Sequence, residues 1–160
     1  MSSSVLVNFH CHSIFSDGDQ TPEALAANFA RQGVRFAALT DHDTLEGLPR
    51  FRQAAEKHGV SCLPGLELTS WYKGLELHIL AYGFDPKNRE LLAVLQSLRQ
   101  AHYLEVQSIA GSIRKKGTNS SNHSEDSRLA LERETDRLDP AEAIGLIHRS
   151  IPRCFSPFLP

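Results

Sequence analysis

Histidine and carboxylate residues recur through the first half of this 160-residue chain, at spacings that suit metal binding. His10 and His12 are separated by one residue, and Asp17 follows five residues later. Alternate side chains of a strand project to the same face, so the two imidazoles would lie side by side. Other candidates accompany later apolar runs: His42, Glu67 and His78. Imidazole and carboxylate ligands suit zinc, manganese or iron, so the sequence predicts a metal site.

A metal site of this composition favours phosphate ester chemistry. A carboxylate such as Glu67 can bridge two ions because it has two oxygen atoms. Two ions about 3.5–4 Å apart can hold a phosphate, lower the pKa of a bound water and stabilise the leaving oxygen. The sequence contains no G-x-x-x-x-G-K-[ST] loop, no G-x-G-x-x-G turn and no G-x-S-x-G elbow. Phosphate cradling by backbone amides and the simplest serine hydrolase mechanism therefore have no support.

Alternating strand and helix patterns must position these residues. The expected strands cover 5–12, 36–40, 60–63 and 77–82, and the expected helices cover 21–32 and 48–58. This repetition favours parallel strands, in an open sheet or in the opening portion of a (β/α) barrel. In both folds the functional residues gather at the carboxyl ends of the strands. We expect the candidate histidines at these carboxyl ends, and Glu67 shortly after the end of its strand.

The second half of the chain has a different pattern. Apolar residues spaced three and four apart predict a long amphipathic helix over 89–116, whose stripe includes His102 as a packing residue. A polar loop at 117–126, a charged helix over 128–137 and a helix from Asp139 are expected next. We therefore divide the chain into a metal-ligand portion at 1–85, a helical continuation at 86–149 and an irregular tail at 150–160.

Composition limits the classes of partner. The formal net charge of −2 supplies no field for gathering nucleic acid non-specifically, so a polyanionic substrate must be held locally. There is no membrane-spanning apolar run and no signal-peptide pattern, so we expect a cytoplasmic protein with no membrane association. The three cysteines form no CxxC pair, which argues against a disulfide framework or a thiolate zinc site. Cys11 and Cys62 are expected in the core.

The segments that carry the candidate residues closely resemble the PHP domain, named for polymerase and histidinol phosphatase. The resemblance covers about residues 1–85 and is strongest to stand-alone metal-dependent phosphoesterases that act on nucleoside phosphates or RNA ends. The matching segments are Phe9-His10-Cys11-His12-Ser13, Ser16-Asp17-Gly18, Thr21-Pro22, Leu39-Thr40-Asp41-His42-Asp43-Thr44, Pro64-Gly65-Leu66-Glu67 and His78-Ile79-Leu80.

This resemblance implies a distorted (β/α)7 barrel with up to three manganese, iron or zinc ions. It divides the ligands among three ions: His10, His12 and Glu67 for the first, Glu67 and His78 for the second, and Asp17 and His42 for the third. Asp41 and Asp43 match the motif as residues that orient imidazoles. No side chain is assigned as a nucleophile, because a metal-activated water would attack the phosphate ester.

The implied function is hydrolysis of a phosphate ester of a nucleotide or oligonucleotide, with a small phosphorylated molecule or an RNA end as substrate. Two alternatives remain open. The chain could be a histidinol-phosphatase-like or polymerase-associated PHP domain with another substrate. It could also be a non-catalytic, truncated remnant that binds metal weakly.

The end of the sequence departs from the family pattern. Residues 139–149 resemble the family helix that leads to a Gly-Gly turn, another strand and an Ala-His-Pro motif, but residues 150–160 contain none of these. A later Asp-x-His pair is missing as well. A seven-unit barrel needs upwards of roughly 200 residues. We therefore expect a partial barrel with its first strands and helices present and its later strands missing, whether by truncation, by a frameshift or as a natural short variant.

Overall fold

The computed structural model describes residues 5–116 and 138–152. The expectations for 117–126 and 128–137, and most of the irregular tail, lie outside these residues. Along the chain the elements are β1 (Leu6–Asn8), α1 (Pro22–Arg31), β2 (Val34–Ala37), α2 (Leu48–Lys57), β3 (Ser61–Cys62), β4 (Gly65–Tyr72), β5 (Leu75–Tyr82), α3 (Arg89–Lys116) and α4 (Pro140–Ser150).

The first two helices begin and end close to where the sequence predicts. The Thr21 hydroxyl caps α1 by accepting a hydrogen bond from Ala24 N at 3.2 Å, and Pro22 occupies the first turn. Gly33 follows α1 with a φ of +80°, and Gly59 follows α2 with a φ of +72°. Such positive φ values favour glycine, so both residues terminate their helices as expected.

Strands β1, β2 and β3 form a parallel sheet in that order. Val7 lies opposite Phe36, and Phe36 lies opposite Ser61. Each strand is shorter than the sequence predicts, and β1 ends at Asn8 rather than continuing to residue 12. The Asn8 side chain accepts a hydrogen bond from His10 N at 3.2 Å, which turns the chain away from regular strand geometry.

Helices α1 and α2 cover one face of this sheet. Phe29 of α1 and Phe51 of α2 meet edge to face, with ring centroids 6.2 Å apart, above the buried Ala37 of β2. Cys11 and Cys62 pack against this cluster, as expected for core residues. Burial raises the pKa of the two thiols to about 12 and about 11 respectively.

The next two strands form an antiparallel hairpin instead of another parallel unit. All eight residues of β4 pair with β5, from Gly65 opposite Tyr82 to Tyr72 opposite Leu75. Lys73 and Gly74 make the turn with φ values of +49° and +79°. The sequence predicts a strand at 77–82 but neither its hairpin partner nor its antiparallel direction, because Lys-Gly is a weaker turn signal than Asn-Gly.

A second core lies between the hairpin and the last two helices. Leu66 and Leu68 of β4 pack with Leu91 of α3 and Leu146 of α4. His102 is exposed, so the packing role predicted for it is wrong, and the described stripe of α3 is buried mainly along its first turns. Within 5–116 and 138–152, every helix is too short or too polar to cross a membrane.

Candidate metal centre

The predicted site residues converge where the parallel sheet meets the hairpin. They form three overlapping groups, and within each group one donor atom per residue lies within 4.8 Å of the others. The groups are His10, His12 and Glu67; His12, Asp17 and His42; and His42, Glu67 and His78. The structure therefore brings together every residue that the sequence analysis nominated as a ligand.

Glu67 occupies the centre of the site. The residue is 4% exposed, and its Oε2 atom lies 2.9 Å from His10 Nε2, 3.1 Å from His12 Nε2 and 3.8 Å from His42 Nε2. Its other oxygen, Oε1, lies 3.1 Å from His78 Nδ1. The two oxygens of one buried carboxylate thus face different imidazoles, which is the geometry required of a bridging ligand.

His10 and His12 reach this centre from the irregular segment that follows β1. Thr40 N donates to Cys11 O at 2.9 Å, and Cys11 N donates to the Thr40 hydroxyl at 3.2 Å. These bonds hold the segment beside the chain that follows β2. The two imidazole rings lie 5.1 Å apart as a result. Both imidazoles face Glu67. The sequence predicts that a strand over 5–12 aligns them, but β1 ends at Asn8 and the two histidines lie beyond it.

Asp17 joins the site through the loop at 13–18. Its Oδ1 atom lies 3.1 Å from His12 Nδ1, and its Oδ2 atom lies 3.8 Å from His42 Nε2. Partial burial alone would raise the pKa of Asp17, but the neighbouring His12 and His42 and a hydrogen bond from Ser16 bring the pKa below its ordinary value. Asp17 is therefore ionised at neutral pH, as a metal ligand must be.

Asp41 holds that loop in place. Its carboxylate is buried and accepts hydrogen bonds from Ser13 N at 2.6 Å, the Ser13 hydroxyl at 2.8 Å and the Ser16 hydroxyl at 3.0 Å. Family resemblance implied that Asp41 orients an imidazole. The structure shows a less direct link, since the Ser16 hydroxyl lies 3.5 Å from His12 Nδ1.

Asp43 holds the strand that carries Glu67. Its Oδ1 atom accepts a hydrogen bond from Thr69 N at 2.8 Å, and its backbone N donates to Glu67 O at 2.9 Å. The adjacent His42 forms an isolated parallel bridge with Glu67, and Asp43 itself has a φ of +50°. Asp43 thus fixes the backbone of a candidate ligand, whereas the resemblance implied contact with an imidazole.

Glu67 and His78 lie inside the hairpin strands, not at the ends of parallel strands as predicted. Glu67 is opposite Leu80 and His78 is opposite Thr69, so all four side chains share one face. Glu76, which the sequence analysis did not single out, lies 2.8 Å from His78 Nε2. That hydrogen bond, together with the charge of Glu67, raises the pKa of His78 although partial burial opposes the shift. Glu76 could have been found from the sequence, because residues two apart in a strand project to the same face and Glu76 is two residues before His78.

The donor set fits divalent transition metals. It combines several imidazole nitrogens with carboxylate oxygens, a mixture that suits zinc, manganese or iron better than the all-oxygen sites of calcium or magnesium. A cation bound among these atoms would be coordinated by the imidazole nitrogens and attracted by the negative charge of the carboxylates.

Comparisons with known proteins identify a matching family and several similar chains. A family model described as the PHP domain matches residues 8–151. A 5'-3' exoribonuclease of Haemophilus influenzae is 35% identical over 102 residues, which are 62% of this chain and 37% of the relative. A 3',5'-nucleoside bisphosphate phosphatase of Chromobacterium violaceum is 32% identical over 111 residues, which are 69% of this chain and 39% of the relative.

Two solved structures share the fold. A Bifidobacterium adolescentis protein assigned as a metal-dependent phosphoesterase has a TM-score of 0.66 and 27% identity, over 85% of this chain and 46% of its own. An amidohydrolase of Chromobacterium violaceum, solved with sulfate, has a TM-score of 0.64 and 30% identity, over 72% of this chain and 40% of its own. The chain spans less than half of each protein. These neighbours confirm the predicted fold class, a partial α/β barrel.

Proposed function

Because the chain belongs to the PHP domain family, we propose that it supplies the metal centre of a phosphoesterase that acts on nucleotides or oligonucleotides. The carrying observation is the buried Glu67 carboxylate, whose two oxygens face imidazoles from both the parallel sheet and the hairpin. Similar proteins include an exoribonuclease and a nucleoside bisphosphate phosphatase, and metal-dependent phosphoester hydrolysis is common to such relatives.

We assign the ligands to three positions for manganese, iron or zinc. The assignment is His10, His12 and Glu67 for the first, Glu67 and His78 for the second, and Asp17 and His42 for the third. The structure brings one further histidine close to each of the last two positions. A donor atom of His42 lies within 4.8 Å of donor atoms of Glu67 and His78, and a donor atom of His12 lies within 4.8 Å of donor atoms of Asp17 and His42.

The two ring nitrogens of His12 face different groups of the site. A neutral imidazole has one N–H donor and one nitrogen with a free lone pair. His12 Nε2 lies 3.1 Å from Glu67 Oε2, so we assign its lone pair to the first position. The Nδ1–H group then donates to Asp17 Oδ1 at 3.1 Å. In this arrangement Asp17 orients His12 while it serves the third position, which couples the two positions.

Bound divalent ions would supply the positive charge that holds a phosphate and would lower the pKa of a water molecule. The chain's own residues explain why this charge is needed, because the Glu67 and Asp17 carboxylates repel a phosphate dianion on their own. Ser13 cannot act as a nucleophile, since its side chain is fully buried and its hydroxyl donates to Asp41. In this proposal the side chains hold and orient the metal ions, and a water molecule would attack the phosphate ester.

The test combines metal analysis with hydrolysis. We expect the purified chain to retain transition metal through desalting. Glu67→Gln should lose most of it, because the substitution removes a charged carboxylate whose two oxygens are assigned to two metal positions. His102→Ala is the matched control, since His102 is exposed and outside the site. Equal metal content in the wild type and Glu67→Gln, by elemental analysis, would exclude the shared carboxylate.

Substrate choice is tested with a panel of phosphate esters in the presence of manganese. The panel contains a nucleoside 3',5'-bisphosphate, a 5'-phosphorylated oligoribonucleotide, histidinol phosphate and an aryl phosphate. We expect turnover of one of the nucleotide substrates and a loss of at least about 100-fold in His42→Ala, which removes a direct ligand. Metal binding without turnover of any ester would identify a non-catalytic PHP remnant.

A further inference from the structure

The metal centre is assembled from two separate sheets, so the structure must fix the distance between them. The parallel sheet carries His10 and His12 on the segment after β1, and the hairpin carries Glu67 and His78 within β4 and β5. On the side of β2, the bridge between His42 and Glu67 makes the connection through the backbone. A second connection is found on the side of β1.

That second connection is Tyr82. Its hydroxyl donates a hydrogen bond of 2.6 Å to Phe9 O, and the Tyr82 and Phe9 rings have centroids 6.1 Å apart. Phe9 is the residue immediately before His10. A hydrogen bond of this length lies at the short end of the normal range for an O–H donor. Tyr82 therefore ties the end of β5 to the chain that carries the first two imidazoles.

The register of the hairpin places Tyr82 on the face that carries the ligands. Tyr82 is two residues beyond Leu80, which lies opposite Glu67, and Tyr82 itself lies opposite Gly65. Gly65 lets β4 lie against the chain that follows β2, because a Cβ atom there would lie 2.7 Å from Leu39 O. The pairing with Gly65 places Tyr82 at this end of the hairpin, where its hydroxyl reaches Phe9 O.

We propose that Tyr82 is a positioning residue that sets the separation between the His10 and His12 imidazoles and the Glu67 carboxylate. This inference rests on the proposed metal-binding function. Burial and the charge of Glu67 raise the pKa of Tyr82, so the phenol keeps the proton that it donates. Without the hydroxyl, the segment at 9–12 loses its hydrogen bond to β5 and keeps only the ring contact, so the geometry of the first metal position is less well fixed.

The experiment is a titration of the metal-free chain with Co²⁺, followed by visible absorption, which reports both affinity and ligand geometry. We expect Tyr82→Phe to bind Co²⁺ about tenfold more weakly than the wild type, within the range typical of residues that orient ligands. Tyr82→Ala, which also removes the ring contact with Phe9, should weaken binding further, and restoring the ring in Tyr82→Phe should recover part of the loss.

Tyr72→Phe is the matched control, because Tyr72 lies at the far end of the same hairpin and is 49% exposed. The same titration in a background that carries both His10→Ala and His12→Ala separates positioning from general stability. If Tyr82 acts through these two imidazoles, Tyr82→Phe should cause little additional loss there. An equal tenfold loss in both backgrounds would show a general structural effect and overturn the inference.

The remaining outcomes distinguish this inference from the function on which it rests. If the wild type shows no saturable Co²⁺ binding, both the proposed function and the role of Tyr82 are wrong. If the wild type binds Co²⁺, His10→Ala weakens that binding and Tyr82→Phe does not, the proposed function stands and the role of Tyr82 is overturned.

Discussion

The parallel sheet and the hairpin supply ligands to the same site but hold them in different ways. His12 and Asp17 lie on irregular chain beyond β1, where no strand pairing fixes their side chains. Glu67 and His78 lie inside β4 and β5, where the antiparallel ladder between the two strands fixes the backbone of both residues. One half of the site thus depends on loops and the other half on regular secondary structure.

This difference determines which supporting residues matter most. The loop that carries Asp17 is held by the buried Asp41 carboxylate, which accepts hydrogen bonds from Ser13 and Ser16. A buried polar network of this kind is costly to leave partly satisfied. The hairpin receives additional support from Asp43, but its own ladder carries most of the order. We therefore expect the loop side to be the more sensitive to substitution.

The largest effect in this comparison is expected for Asp41→Ala. The substitution leaves the N–H and the hydroxyl of the fully buried Ser13 without their acceptor, and it removes one of the two carboxylate acceptors near the Ser16 hydroxyl. We expect a loss of about 3 kcal/mol in the free energy of unfolding. Denaturant unfolding measures that loss, and elemental analysis should show reduced metal retention, because the Asp17 loop is no longer held.

The matched control for Asp41→Ala is Glu23→Ala, since Glu23 is exposed and pairs with Arg50 on the helical surface. Ion pairs between exposed side chains contribute little to the free energy of unfolding. If Asp41→Ala and Glu23→Ala unfolded at similar denaturant concentrations, the Asp41 network would not be the main support of the loop.

A smaller effect is expected for Asp43→Ala on the hairpin side. The change removes the acceptor for Thr69 N and places alanine at a φ of +50°, where a side chain with a Cβ is strained. Together these changes should cost about 2 kcal/mol of unfolding free energy. Asp43→Asn keeps an acceptor oxygen and tolerates this φ, so it should remain close to the wild type.

Two results would contradict the prediction for Asp43. A larger loss for Asp43→Ala than for Asp41→Ala would mean that the ladder of β4 and β5 depends on Asp43 more than the loop depends on Asp41. An equal loss in Asp43→Asn would point to the negative charge of Asp43 rather than to its hydrogen bond.

The sequence was sufficient to predict the parts of the fold that follow local rules. The cap at Thr21 and the terminating Gly33 define α1 within one residue, and short apolar runs indicate the parallel strands. The ligand types were also readable, because histidine and carboxylate residues are uncommon together at such spacings. Their convergence in the structure follows from the strand order rather than from any single motif.

Other features depend on contacts that no local pattern reveals. Asp41 lies 28 residues from Ser13 along the chain, so its role as the support of the loop emerges only in three dimensions. Tyr82 and Phe9 are 73 residues apart. The hairpin was missed because β4 mixes apolar and polar residues and because its turn residues, Lys73 and Gly74, are only half of a favoured pair.

That turn gives the smallest expected effect and the only gain in stability among these variants. Both turn residues have positive φ, which matches the two central positions of a type I′ turn. Lysine resists this conformation because of its Cβ, whereas asparagine adopts it more readily. Lys73→Asn should therefore raise the free energy of unfolding by about 0.5 kcal/mol, allowing for the loss of the contact between Lys73 Nζ and the Tyr72 ring at 5.2 Å.

Thermal unfolding of Lys73→Asn measures this gain, with Gly74→Ala as its opposite, since alanine at a φ of +79° should destabilise the same turn by about 1 kcal/mol. Metal retention should stay unchanged in Lys73→Asn, because the turn lies at the end of the hairpin away from Gly65 and Glu67. A change in metal retention together with the gain in stability would mean that the ladder transmits strain from the turn to the ligands. The hairpin would then be no more robust a support for the site than the loop that carries Asp17.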